Sequence, residues 1–133
     1  EKKYTQRKGK DRMASNQVNE VEEMVKDLKK NPGFKAYLIL NNDGIVIKWD
    51  QVETPMPYET AVQHSHLVLD LCSKSKKYMR ELFDPPDNEV ENIRLRTDTH
   101  ELIAAQHGNF TLVVVQEDLL AKAKAKALEA EDE

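Results

Sequence analysis

Apolar positions along the chain follow two periods, and together they predict a helix, two strands, a long helix and three strands. Val21, Met24, Val25 and Leu28 recur at helical spacing, and Asn19 with Glu22 resembles a capping arrangement, so a first helix is expected from about Val18 to Lys30. Asn31, Pro32 and Gly33 stop it, because proline lacks the amide that another turn needs and glycine accepts a left-handed exit. Ala36 to Leu40 and Ile45 to Trp49 read as strands joined by a tight turn at Asn42, Asp43 and Gly44. The first is apolar almost throughout, as a central strand covered on both faces is. The second alternates Ile45 and Ile47 against Val46 and Lys48, which suits a strand nearer an edge.

The longest element is expected from Tyr58 to Phe83. Ala61, Val62, Ser65, Val68, Leu69, Cys72, Met79, Leu82 and Phe83 form a stripe at three-and-four spacing, whereas Leu67, Leu71 and Tyr78 lie off it. A helix serving only its own sheet would leave those three in water, so the pattern calls for a second contact, in this chain or in a partner. Asp84, Pro85, Pro86, Asp87 and Asn88 end the helix. Val90 to Thr97 then places Ile93 and Leu95 on one side and Asn92, Arg94 and Arg96 on the other, predicting one buried face and one basic face. Thr99 to Ala105 and Phe110 to Gln116 form a hairpin about His107, Gly108 and Asn109, and Leu112 to Val115 again lacks alternation, which marks a central strand.

This order predicts an α+β fold, a layered sandwich of two to three layers. Its five-stranded antiparallel sheet carries the long helix on one face and the first helix on the other. From Leu119 to Leu128, alanines alternate with Lys122, Lys124 and Lys126, a composition that favours helix without giving it an apolar stripe, so a solvated helical extension or a fraying end is expected. The domain limits follow as a flexible basic arm over residues 1–17, a folded domain over 18–116 and a charged extension over 117–133.

Charge and candidate chemistry narrow the function classes. A net charge of -4 lacks the diffuse positive field of a general nucleic-acid binder, although Lys2, Lys3, Arg7, Lys8, Lys10 and Arg12 make the first residues locally basic. Cys72 is the only cysteine, which excludes an internal disulfide and fits a reducing compartment; on an apolar helix stripe it reads as a small buried or interface hydrophobe. No run of about 18 apolar residues and no apolar leader is present, so the expectation is a soluble intracellular protein without a membrane span. His64 and His66 stand two apart and point to different helix faces, and His100 and His107 flank the fourth strand at opposite ends, so no metal site is expected. Isolated glycines provide no phosphate loop, and the expectation is a non-enzyme without cofactor or small-molecule substrate. Arg94 and Arg96 share a strand face, where they suit carboxylates of a partner segment or of the chain itself.

Several short motifs in order resemble the roadblock/LC7 family of dynein light chains. They are Val21-Glu22-Glu23 with Leu28, Gly33-Phe34-Lys35-Ala36, Asn42-Asp43-Gly44-Ile45-Val46-Ile47, Ile93-Arg94-Leu95-Arg96, Glu101-Leu102-Ile103 and Phe110-Thr111-Leu112-Val113-Val114-Val115-Gln116. The resemblance covers roughly Val18 to Gln116 and implies a profilin-like fold in which two chains, identical or different, pair their long helices and join sheets through the third strands. Leu67, Val68, Leu71, Cys72, Ser75, Met79, Ile93 and Leu95 are then the expected dimer contacts, and Trp49, Arg94 and Arg96 the expected partner-binding residues. It further implies a dynein light chain that binds an intermediate-chain segment in the cytoplasm or on the cytoskeleton, with the outer arm of a cilium as the version that the added arms fit. The alternatives are a roadblock-type scaffold regulating a small GTPase and a nucleic-acid binder acting through the basic arm. Ala36 and Trp49 depart from the family pattern, which commonly has a glycine and a small hydroxyl residue at these places.

Overall fold

The computed structural model describes residues 19–132; the basic arm expected at the start lies outside them. The chain divides after Pro32 into two compact units. The first contains helix α1 over residues 19–29, in which Asn19, expected at the cap, is already helical. Val21 and Val25 are buried and Leu28 half-buried, as the periodicity requires, while Met24 is exposed.

The second unit contains β1 (Phe34–Asn41), β2 (Val46–Gln51), α2 (Tyr58–Leu82), β3 (Asn92–Arg96), β4 (His100–His107), β5 (Phe110–Glu117) and α3 (Leu119–Glu131). Its sheet is antiparallel with strand order β2-β1-β5-β4-β3, the five-stranded sheet of the expected α+β fold. The two strands without alternation, β1 and β5, lie inside the sheet and pair with each other. Leu38 stands opposite Val113 and Leu40 opposite Thr111 on the face that α2 covers. Tyr37, Ile39, Leu112 and Val114 occupy the reverse face and are buried too, which explains the unbroken apolar runs.

Strand β2 departs from its reading in one respect. The register slips between Ile39 and Leu40, whose partners are Lys48 and Val46, so Ile47 is passed over. Val46 therefore enters the core, and Ile45 and Ile47 remain exposed. The turn before it is organised by Asn41, whose side-chain oxygen accepts from the amides of Asp43 and Ile45 at 2.9 Å each. Gly44 in that turn has φ +79° and lies directly under Leu69 of α2, so a methyl group there meets both a backbone penalty and the helix above.

Between β5 and α3 the chain is held by several polar contacts. Asp118 caps α3, accepting from the amides of Leu120 at 3.0 Å and Ala121 at 3.2 Å. Its own amide donates to the carbonyl of Thr99 in the β3–β4 turn, and its carboxylate also pairs with Arg96. Glu117 pairs with Lys122 at 3.0 Å and lies 3.7 Å from Lys35. The Arg96 contact is the foremost cause that holds the Asp118 carboxyl below its ordinary range, and the Lys122 contact does the same for Glu117.

Two outcomes are expected from this packing. Gly44→Ala lowers unfolding stability by about 1–3 kcal/mol, measured by urea denaturation, because an alanine must adopt the left-handed conformation against Leu69. Carboxyl groups with depressed pKa in the folded state stabilise it above their unfolded values of about 4 and lose that contribution as pH falls through the folded values. Thermal melts of the full chain should therefore weaken below about pH 4, and Asp118→Asn should flatten part of that slope.

Candidate functional site

Helix α2 presents two apolar faces. Ala61, Ser65 and Val68 are buried toward the sheet, with Val62, Leu69 and Cys72 packed against the same cluster. At about 100° per residue, Leu67, Leu71, Tyr78 and Leu82 fall within an arc of roughly 60° that is turned by more than a quarter revolution from the sheet-facing side. Leu71 is half-buried, whereas Leu67, Tyr78 and Leu82 are 63%, 49% and 66% exposed. The sequence reading of Leu67, Leu71 and Tyr78 as surplus apolar surface thus agrees with the structure. Leu82 and Phe83 do not belong to the buried stripe as expected: Leu82 joins the outward arc, and Phe83 caps the helix where it is half-exposed.

A second open feature borders this helix. Strand β3 pairs only with β4, so its other edge has no strand beside it among the described residues. Ser75 and Met79 of α2 line a shallow groove with Val90, Glu91, Asn92 and Ile93. Leu95, expected to be buried, is 46% exposed, and Ile93 is half-buried, packed at the margin of the core cluster beneath α2.

Of the expected dimer contacts, Leu67, Leu71, Ser75, Met79, Ile93 and Leu95 are therefore on or beside open surface. Val68 is not: it is 6% exposed and belongs to the chain's own core. Cys72 packs against that core, and burial pushes its thiol pKa up, which keeps it protonated and poorly nucleophilic at neutral pH.

The three expected partner-binding residues each have a mate within the chain. Trp49 donates its ring N–H to the carbonyl of Met56 at 2.9 Å and packs on Tyr58, with ring centroids 5.4 Å apart. It closes the corner between the hairpin and α2. Arg94 meets Glu101 at 2.8 Å, and Gln116 donates to the other oxygen of that carboxylate at 2.9 Å. The Gln116 bond first, and then Arg94, hold the Glu101 carboxyl below its ordinary range. Arg96 is taken by Asp118. The spacing of the arginines is informative about their common face, but their carboxylate partners come from elements distant in sequence.

An open cavity of about 340 Å³ lies between the start of α2 and the sheet. Ala36, Leu38, Met56, Val113 and Val115 make its lining mostly apolar, with His64 and His100 also bordering it. Among the described residues no three histidine, cysteine or acidic side chains are grouped so as to hold a metal ion, and no helix is long and apolar enough to cross a membrane. What the unit offers instead is surface: an apolar helix arc beside an open strand edge.

Solved structures with this fold include an MglB with a tetrameric arrangement, at TM-score 0.61 and 15% identity over 86% of this chain and 84% of that one. The gliding protein MglB of Thermus thermophilus matches at TM-score 0.59 and 16% identity, over 81% of this chain and 80% of that one. A roadblock/LC7 domain from Streptomyces avermitilis matches at 0.54 and 16%, over 77% and 91%. These likenesses correct the dynein expectation: the relatives found are MglB-type and other bacterial roadblock proteins, so the dynein light-chain role, its intermediate-chain partner and the microtubule or ciliary setting do not stand. The family itself does stand, for the Roadblock/LC7 domain pattern matches residues 20–117, and the chain belongs to the Roadblock/LC7 domain family.

Proposed function

We propose that this chain is a non-catalytic roadblock scaffold that pairs with a second roadblock chain through the outward arc of α2 and the edge of β3, and in that form regulates a small GTPase. The observation that carries the pairing is a symmetry in the arc. Leu67 and Leu82, and likewise Leu71 and Tyr78, are equidistant from the point between Lys74 and Ser75. A second α2 laid antiparallel about a two-fold axis through that point sets Leu67 of each copy against Leu82 of the other, and Leu71 against Tyr78.

Magnitude decides how much of the interface the helix supplies. Removing four half-exposed large side chains per copy from water contributes on the order of 6–12 kcal/mol. Association costs roughly 4–15 kcal/mol. The helix contact alone is thus marginal, and the adjoining edge of β3, with Ile93 and Leu95, decides whether the pair is tight. A GTPase client is favoured over a dynein intermediate chain by the MglB-type relatives.

The pairing is tested on the full chain by sedimentation at micromolar concentration. Leu67→Asp should weaken self-association at least about tenfold while leaving helicity unchanged, since Leu67 lies outside the core. In a Cys72→Ser background, Ser75→Cys should form an intermolecular disulfide under mild oxidation, because the axis passes beside it. The client is tested with purified small GTPases of the source organism, loaded with GDP or GTP, where nucleotide-dependent retention is expected; retention of none in either state refutes the regulatory role.

A further inference from the structure

Lys74 stands just outside the apolar arc of α2, about 20° beyond Leu67 on the helix circumference, and along the helix it lies next to the point of symmetry. Asp70, one turn earlier, holds it at 2.8 Å, and both side chains are largely exposed. Asp70 itself lies on the flank of the arc, beside Lys77.

In an antiparallel pair, a two-fold axis perpendicular to the plane of the two helices maps each flank onto the same flank of the mate. Asp70 of one copy then lies about two residues, or roughly 3 Å along the helix, from the level of Lys77 of the other. These charges are opposite and complementary. Lys74 meets a different neighbour: its own copy, about one residue away along the axis and on the same flank. Asp70 of each copy is then within reach of both its own Lys74 and the mate's Lys77, and the two Lys74 side chains share one flank at the level where the helices approach most closely. Like charges placed across an interface suppress pairing even where the surrounding apolar contacts are good.

We infer that Lys74 sets the identity of the mate: it weakens the pair formed by two identical chains and selects a roadblock-type chain whose corresponding helix presents a carboxylate to it. The inference rests on the helix pairing proposed above and adds to it the chemistry of the preferred partner. An apolar arc that matches its own reverse supplies general affinity for the roadblock helix; the lysine at its border supplies discrimination.

The experiment mixes the full-length wild type with full-length Lys74→Glu and measures homodimer and heterodimer populations by native mass spectrometry. Each homodimer carries like charges at the axis, whereas the heterodimer carries a lysine facing a glutamate. The heterodimer should exceed its statistical half of the population, with a dissociation constant at least ~10-fold below the geometric mean of the two homodimers. Lys74→Ala should tighten the homodimer several-fold, since the exposed pair with Asp70 that it removes contributes little. At about 1 M salt, where charges are screened within roughly 3 Å, the heterodimer preference should shrink. A statistical mixture, or a Lys74→Ala homodimer no tighter than wild type, overturns the role of Lys74. The disulfide at Ser75→Cys separates the two readings: if it forms while the mixture is statistical, the helices pair and Lys74 does not select; if it fails to form, the pairing itself is wrong.

Discussion

A flat sheet can cover only one side of a helix, and α2 is apolar on two. Ala61, Ser65 and Val68 are buried where α2 lies over β1 and β2 and fix the helix on the sheet. Once they are seated, Leu67, Tyr78 and Leu82 have nowhere to go but outward. The rest of the unit is arranged around this seating. Gly44 has no side chain because Leu69 passes over it, and Trp49 reaches from β2 to the loop before α2, where it binds the carbonyl of Met56 and packs on Tyr58. The exposed arc is therefore a direct result of the internal packing, and the sheet that seats the helix leaves it uncovered.

The uncovered end of the sheet adds to that surface. Helix α2 leaves Ile93 and Leu95 incompletely covered, and β3 has no strand on its outer side among the described residues. Proteins ordinarily protect such an edge with charge, a bulge or a partner. Here the arginines of β3 are turned to the reverse face and neutralised by Glu101 and Asp118, so they do little to shield the edge itself. An apolar helix arc and an unshielded strand edge side by side are more simply explained by one partner than by two.

Much of this is legible in the sequence because local periodicity and global packing agree. The unbroken apolar runs of β1 and β5 identify the inner strands, and Leu67, Leu71 and Tyr78 announce surface beyond the needs of one sheet. The failures have physical causes. The slip at Ile39 and Leu40 sets which residues of β2 face the core, and a bulge leaves no mark in an alternating string. Val68 reads as a dimer contact because periodicity gives two faces without saying which one the sheet takes. Arg94 and Arg96 find carboxylates across the sheet and at the entry to α3, distances in sequence that no spacing rule spans. Motif order identifies the roadblock family, but the same fold serves several partners, and resemblance to one branch carries the dynein reading too far.

The junction at Asp118 has a mechanical consequence. One residue caps a helix with its side chain, ties its amide to the β3–β4 turn and grips the last residue of an edge strand. Three restraints on a single hinge point leave it little freedom to swivel. The heading of α3 is thus inherited from the twist of the sheet rather than from its own alanine and lysine pattern, and that otherwise featureless rod behaves as a pointer whose bearing is set at its base.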